Sequence, residues 1–213
     1  MSPHARRDRA VAYGALARVF LPPDPSRVEA LRGEGIPDLR DALARMGAGP
    51  DLLAGVERLA ARLADADPGK LERAYEEVFD PSGGPRCPPN ETVYTAVTPQ
   101  HAMTKSFELA DIAGFYRAFG VEMTPGTERP DHIAAELEFM HLLAMKEMVA
   151  AAEERGEERV RVCRDARGAF FRDHLGRWFI PFCERLGEEG GPVYGEAAKI
   201  LEGFLALESR SIE

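Results

Sequence analysis

Arg129-Pro130-Asp131-His132-Ile133-Ala134-Ala135-Glu136-Leu137-Glu138-Phe139-Met140 opens a stretch that stays apolar to about Ala152. Proline fits a first helical turn because its missing N–H would be unpaired there anyway. Asp131 can accept a bond from a free backbone N–H and complement the positive helix end. His132 and Glu136, at i and i+4, fall on one flank. Ile133, Leu137, Met140, Ala144 and Met148 form a stripe at helical spacing, and Phe139, Leu142 and Leu143 carry apolar character to the other sides. A helix that is apolar nearly all round belongs in the middle of a bundle. At 1.5 Å per residue it is roughly 33 Å long. Its entrance, with Asp131 and His132, then emerges at one end of the domain beside a loop.

Outward from that helix the pattern is helical nearly throughout, with no convincing alternating strand. Ala10 to Phe20 is helical and stops at Pro22-Pro23; Ser26-Arg27-Val28-Glu29 reads as a capping box on a short helix ending near Gly33. Further helices are expected from Pro37 to Met46, Asp51 to Ala64 and Pro68 to Phe79. Asp80 to Pro99 breaks the run, because Pro81, Gly83, Gly84, Pro85, Pro88, Pro89 and Pro99 exclude regular helix. Loops of this length inside compact domains are usually functional or mobile. Helices resume from His101 to Phe119 and, after Gly120 and the Pro125-Gly126 turn, from about Asp131 to Ala152. Two more are expected, from about Arg161 to Leu186 and from Pro192 to Leu207. The expectation is an all-α, single-domain helical bundle over residues 1–213, with a Pro-rich loop between its N- and C-terminal helices.

At 213 residues the chain is long enough to bury a real core, and 45% apolar with 30% charged residues is an ordinary globular balance. Twenty-seven basic against thirty-six acidic side chains give a net charge of −9, which disfavours nucleic acid and suits a basic ligand. Cys87, Cys163 and Cys183 are odd in number and form no CxxC pair, which reads as a reduced, cytoplasmic chain. The charged start Met1-Ser2-Pro3-His4-Ala5-Arg6-Arg7-Asp8-Arg9 is followed by no apolar signal-peptide core, and no run of about 18 apolar residues occurs, so membrane insertion is not expected.

His132 and Glu136 could supply two metal ligands, with His101, His141 or His174 adding others, but no HExxH occurs and no second helix carries ExxH. Cys87, His132 and Asp131 could be drawn as a nucleophilic set without any flanking signature. Gly83-Gly84 and Gly190-Gly191 are isolated pairs, not phosphate cradles. The aromatic and proline segment is the stronger signal. Tyr75, Val78 and Phe79 end one helix, and Cys87-Pro88-Pro89-Asn90-Glu91-Thr92-Val93-Tyr94 follows. Prolines hold extended backbone with free carbonyls, aromatics offer flat contacts at low entropic cost, and Glu91 could engage a peptide guanidinium. A small all-α metal-dependent or hydrolytic enzyme using His132 and Glu136 is the alternative reading.

Together these segments resemble the TorD/DmsD/NarJ family of molybdoenzyme maturation chaperones. The family's first signature, an aromatic, an aliphatic-Phe pair and a spaced Pro-rich segment, reads here as Tyr75-Glu76-Glu77-Val78-Phe79, Pro85, Cys87-Pro88-Pro89 and Asn90-Glu91-Thr92. Asn90 stands where the family usually has an aromatic, and Thr92 replaces its serine. The second, a glycine, a short spacer and Pro-Asp-His entering a helix, is matched by Gly126 and Pro130-Asp131-His132. His174-Leu175 with Trp178 and Phe182 is similar to the family's C-terminal helix, so the likeness is strongest over residues 71–182. The resemblance implies a non-enzymatic cytoplasmic chaperone that binds the leader, commonly a twin-arginine signal, or the N-terminal region of a molybdopterin oxidoreductase catalytic subunit. It would hold back export while the molybdenum cofactor is inserted. By the same resemblance, Tyr75, Val78, Phe79, Pro88, Pro89, Glu91, Asp131 and His132 bind the client. No catalytic residue, metal ligand or stoichiometric cofactor is implied, and the chain would be a monomer or a domain-swapped dimer.

Overall fold

The computed structural model describes residues 3–79, 84–95, 102–124, 128–153 and 156–212, and these are all-helical. Pro81, Gly83, Pro99, His101, Pro125 and Gly126 lie outside the described residues. The helices in order are α1 (Pro3–Val19), α2 (Pro25–Ala30), α3 (Ile36–Arg45), α4 (Pro50–Ala64), α5 (Pro68–Phe79) and α6 (Glu91–Thr95). After them come α7 (Ala102–Ala118), α8 (Ile133–Ala151), α9 (Glu157–Phe170), α10 (Gly176–Glu189) and α11 (Gly191–Ile212). The only extended pairing among the described residues is an isolated antiparallel bridge between Asn90 and His132.

Helix α8 is the central element, as its all-round apolarity predicts. Ile133, Ala134, Leu137, Met140 and Leu143 are fully buried or nearly so. It lies along α1, and the His141 ring packs directly on Gly14, where a Cβ would stand 2.9 Å from Nδ1. That nitrogen donates to the Ala10 carbonyl at 2.7 Å, so the crossing is closed by a side-chain bond as well as by packing. Helix α9 covers another side of α8, α10 pairs with α11, and α4 packs on α3 and α11. One contiguous apolar core runs through these contacts, from Tyr13 and Leu16 through Leu39, Leu59 and Leu137 to Trp178, Phe182 and Phe204. Because Met140 has no exposed surface, Met140→Ala should cost about 2–3 kcal/mol in a urea titration. A loss below roughly 0.5 kcal/mol would place α8 off the core.

Four local expectations are corrected. The short helix does not end near Gly33, since a π turn over Leu31–Gly35 carries it straight into α3 and keeps Val28, Leu31, Ile36 and Leu39 on one buried side. Its cap is Asp24, whose carboxylate accepts from the Arg27 N–H at 2.8 Å, with Pro25 in the first turn. Ser26 instead donates its hydroxyl to Asp24 at 2.6 Å, so the capping box at Ser26 is not formed. The Pro-rich segment is not wholly irregular either. After Pro88-Pro89 the chain winds into the short α6, which lays Tyr94 on Trp178 with ring centroids 5.5 Å apart. The expected Arg161–Leu186 helix is divided by a second π turn, Phe171–Leu175, which brings His174 and Leu175 inward.

Candidate functional site

Prolines 88 and 89 have no N–H to give, so the segment pairs through its carbonyls and through the residues that follow. Ile133 N–H donates to the Pro89 carbonyl and Glu91 N–H to the Asp131 carbonyl, both at 2.8 Å, clamping the Pro-rich segment across the entrance of α8. The segment is pinned upstream by Cys87 N–H on the Val78 carbonyl at 2.9 Å, at the end of α5. Tyr116 of α7 closes the same corner by donating to the Pro130 carbonyl at 2.7 Å. The two stretches singled out in the sequence therefore form one structure.

Asp131 does not cap α8. Its carboxylate is fully buried and accepts from Thr92 Oγ1 at 2.7 Å, Thr92 N at 3.3 Å, Asn90 Nδ2 at 3.2 Å and Arg129 at 3.0 Å. It serves the first turn of α6 and so ties the loop to the α8 entrance. Asn90, lacking the ring expected there, contributes an amide to this hub, and Thr92 keeps the hydroxyl that a serine would supply. The α8 cap is His132, whose Nδ1 accepts from the Ala134 N–H at 3.1 Å. Burial lowers the imidazole pKa to about 4, outweighing the attraction of Asp131. The ring is therefore neutral at pH 7 with its proton on Nε2, which faces Glu128 Oε2 at 3.7 Å.

Glu136 turns away from His132 into the core. It accepts the Trp178 indole N–H at 3.0 Å, while its other oxygen, Oε1, has no donor within reach. Burial first, then the neighbouring Glu91 carboxylate, raises the Glu136 pKa well above the ordinary value. Protonated, Glu136 donates to Glu91, which resolves the orphaned oxygen. Glu91 is itself fully buried, 3.2 Å from His174 Nδ1 and 3.7 Å from Arg177, and His174 Nε2 lies 3.2 Å from Asp111 at the surface. Sequence reasoning did not find this chain of groups. Its local signal was the spacing of His174 and Trp178 on one helical face, opposite a glutamate in each of the two signature segments.

Tyr75 is half-buried and meets Phe79 and Tyr194 at centroid distances of 4.9 and 6.0 Å, while Val78 and Phe79 are buried. Pro88 is half-buried and Pro89 buried. Glu91, Asp131 and His132 are buried, and the guanidinium already beside Glu91, at 3.7 Å, is that of Arg177. The pieces of the alternative enzyme do not meet, because His132 faces Glu128 and Glu136 faces Trp178. Among the described residues no three His, Cys, Asp or Glu side chains are grouped to hold a metal ion. Cys87 sits 3.5 Å from Tyr94 Oη with its thiol pKa pushed up to about 11 by burial, the wrong direction for a nucleophile. No helix among the described residues is long and apolar enough to cross a membrane.

No curated protein matches the chain. Among solved structures it is similar to a protein of Archaeoglobus fulgidus assigned as a redox enzyme maturation protein. That match has 20% identity and a TM-score of 0.57, covering 92% of this chain and 93% of the other. At that identity the likeness bears on the fold, which is shared over nearly the whole length of both. The family model for the nitrate reductase delta subunit matches residues 49–184, a span that includes both signature segments, the clamp between them and the π turn with His174. The chain belongs to that family, the NarJ/TorD-type redox enzyme maturation chaperones.

Proposed function

We propose that this chaperone works in the cytoplasm on the catalytic subunit of a molybdopterin oxidoreductase. It binds that subunit's leader or N-terminal region and holds it back from export until the molybdenum cofactor is in place. The observation that carries this reading is the clamp of the Pro-rich segment on the α8 entrance, inside the family match. Tyr75 and Pro88 are half-buried, whereas Glu91, Asp131 and His132 are buried. Direct contact with a client peptide then falls to the half-buried aromatic and proline. The buried carboxylates and histidine fix the shape of that surface rather than touch the peptide as the chain stands.

Affinity capture with the tagged, full-length chain in its native host tests the reading. A molybdenum-containing oxidoreductase subunit should be recovered, and less so when that subunit lacks its N-terminal region. Recovery that ignores the truncation, or of no such subunit, rejects the proposal. An acidic chain and a basic leader should also separate as salt rises, because surface charge pairs are screened over about 8 Å at physiological ionic strength. Contacts to Tyr75 should survive that treatment. Affinity that stays flat from low to high salt would exclude leader arginines as anchors.

A further inference from the structure

His174 has a carboxylate on each side of its ring, and the two come from different helices. It is buried on the π turn Phe171–Leu175, with Nδ1 3.2 Å from Glu91 at the head of α6. Its Nε2 lies 3.2 Å from Asp111 on α7. A neutral imidazole has one N–H, so it can donate to one of these carboxylates and turns a lone pair toward the other. The imidazolium donates to both. The arrangement is therefore complete in one protonation state, and histidine is the side chain type that changes charge between about pH 5 and 8.

The surrounding groups set the charge balance. From α8, Glu136 keeps its proton toward Glu91 and leaves that carboxylate to the imidazole. From α10, Arg177 stands 3.7 Å from Glu91 and 3.5 Å from Glu108, a second acidic residue of α7. On the π turn itself Arg172 and Asp173 pair with each other at 2.8 Å. Phe115 of α7 and Phe170 of α9 cover the ring, with centroids 5.7 and 5.0 Å away. An open groove of about 730 Å³, lined by Phe107, Asp111, Arg172 and Arg177, reaches His174 from outside and gives its protons a route to solvent.

Helix α7 is the loosely held side of this junction. Among its described side chains only Ile112 and Tyr116 are buried, and Phe107 is 68% exposed. Its polar ties include Glu108 to Thr95 at 3.0 Å, Tyr116 to the Pro130 carbonyl and the Asp111–His174 pair. Asp111 is 65% exposed, so its carboxylate hydrates readily once the pair parts. We propose that His174 is a proton-operated latch that ties α7 to α6, closed while the imidazole carries both protons and released when it loses one. Because the closed form binds the extra proton, closure is favoured at low pH and is lost as pH rises through the closed-form titration. Release admits water from the groove to Glu91 and, behind it, to Glu136, whose carboxyl is kept neutral by burial. Hydration favours ionisation of that pair, so both titrations drive opening in the same direction. The latch needs no client, and its test does not depend on what the protein captures.

The test is hydrogen–deuterium exchange of the full-length chain at about pH 6 and about pH 8, corrected for the intrinsic rate at each pH, with α7 followed against α1. Protection of α7 should fall by about tenfold at the higher pH while that of α1 stays level, as local opening requires. Asp111→Ala, a surface change that leaves Glu91 and Arg177 in place, should hold α7 at the low level at both pH values. Glu108→Gln, one turn away, should keep the pH dependence. In an NMR titration the His174 ring should give up its proton at lower pH in Asp111→Ala than in wild type. Four results would each overturn the proposal: α7 protection in wild type that ignores pH, a fall that Asp111→Ala reproduces unchanged, loss of the dependence in Glu108→Gln, or a parallel fall in α1, which is loosening of the whole fold.

Discussion

Glu208→Ala should cost the protein about 3–5 kcal/mol, the range for removing one partner of a buried ion pair. Glu208 lies on α11 with no exposed surface and accepts Arg9 Nε on both oxygens at 2.7 Å. It also accepts the Tyr13 hydroxyl at 3.1 Å and Arg167 at 3.2 Å. One carboxylate thus joins α1, α9 and α11, and its loss takes from two buried guanidiniums the carboxylate they share. Burial already lowers the Arg167 pKa, and Arg167 Nε and Glu147 Oε2 face each other at 3.8 Å without a hydrogen bond. The site therefore has little slack with which to absorb the change. Glu208→Gln, which keeps an acceptor, should lose less. Replacing Arg9, Arg167 and Glu208 together by apolar residues of similar size should be milder than Glu208→Ala, since no unpaired charge remains. Urea titrations of the three proteins order these effects; a Glu208→Ala loss under about 1 kcal/mol would mean that both arginines reach water.

Sequence rules located the elements whose signals are local. The helix from Pro68 to Phe79 is legible to the residue, and the apolar girdle of α8 dictates its place in the core. The π turns at Leu31–Gly35 and Phe171–Leu175 were not legible, because a helix takes in an extra residue only when neighbours it packs on demand the shift. The cap of α8 was misread for a related reason. Aspartate outranks histidine as a cap in isolation, but Asp131 is taken by Asn90 and Thr92, about forty positions away, and the histidine next to it inherits the task. The candidate site was legible as two segments and not as a junction. The sequence marks Glu136 as a helix-flank neighbour of His132 and Glu91 as a charge open to a peptide guanidinium, whereas the fold buries both and sets them against Trp178 and His174.

That burial has a measurable signature in the pH dependence of stability. The Glu136 pKa is raised well above the ordinary glutamate value of 4.5, so the folded chain keeps a proton there that the unfolded chain releases. Below about pH 4.5 both states are protonated and the site costs nothing; as pH rises, stability is lost until the folded pKa is reached. Glutamine reproduces the protonated form, with its carbonyl accepting from Trp178 and its amide donating to Glu91. Glu136→Gln should therefore stabilise the protein at pH 7 and change its stability by almost nothing at pH 4. Glu136→Ala should instead be destabilising at both, because it leaves the Trp178 N–H without an acceptor and opens a cavity. Melting curves from pH 4 to pH 8 separate the two accounts. A Glu136→Gln gain that is the same at every pH would mean the proton is not shared between Glu136 and Glu91. A gain that grows with pH assigns the cost to the carboxyl pair beneath the clamp, the point where the Pro-rich segment is held against α8. There the chain gives up stability to bury a second carboxylate next to Glu91.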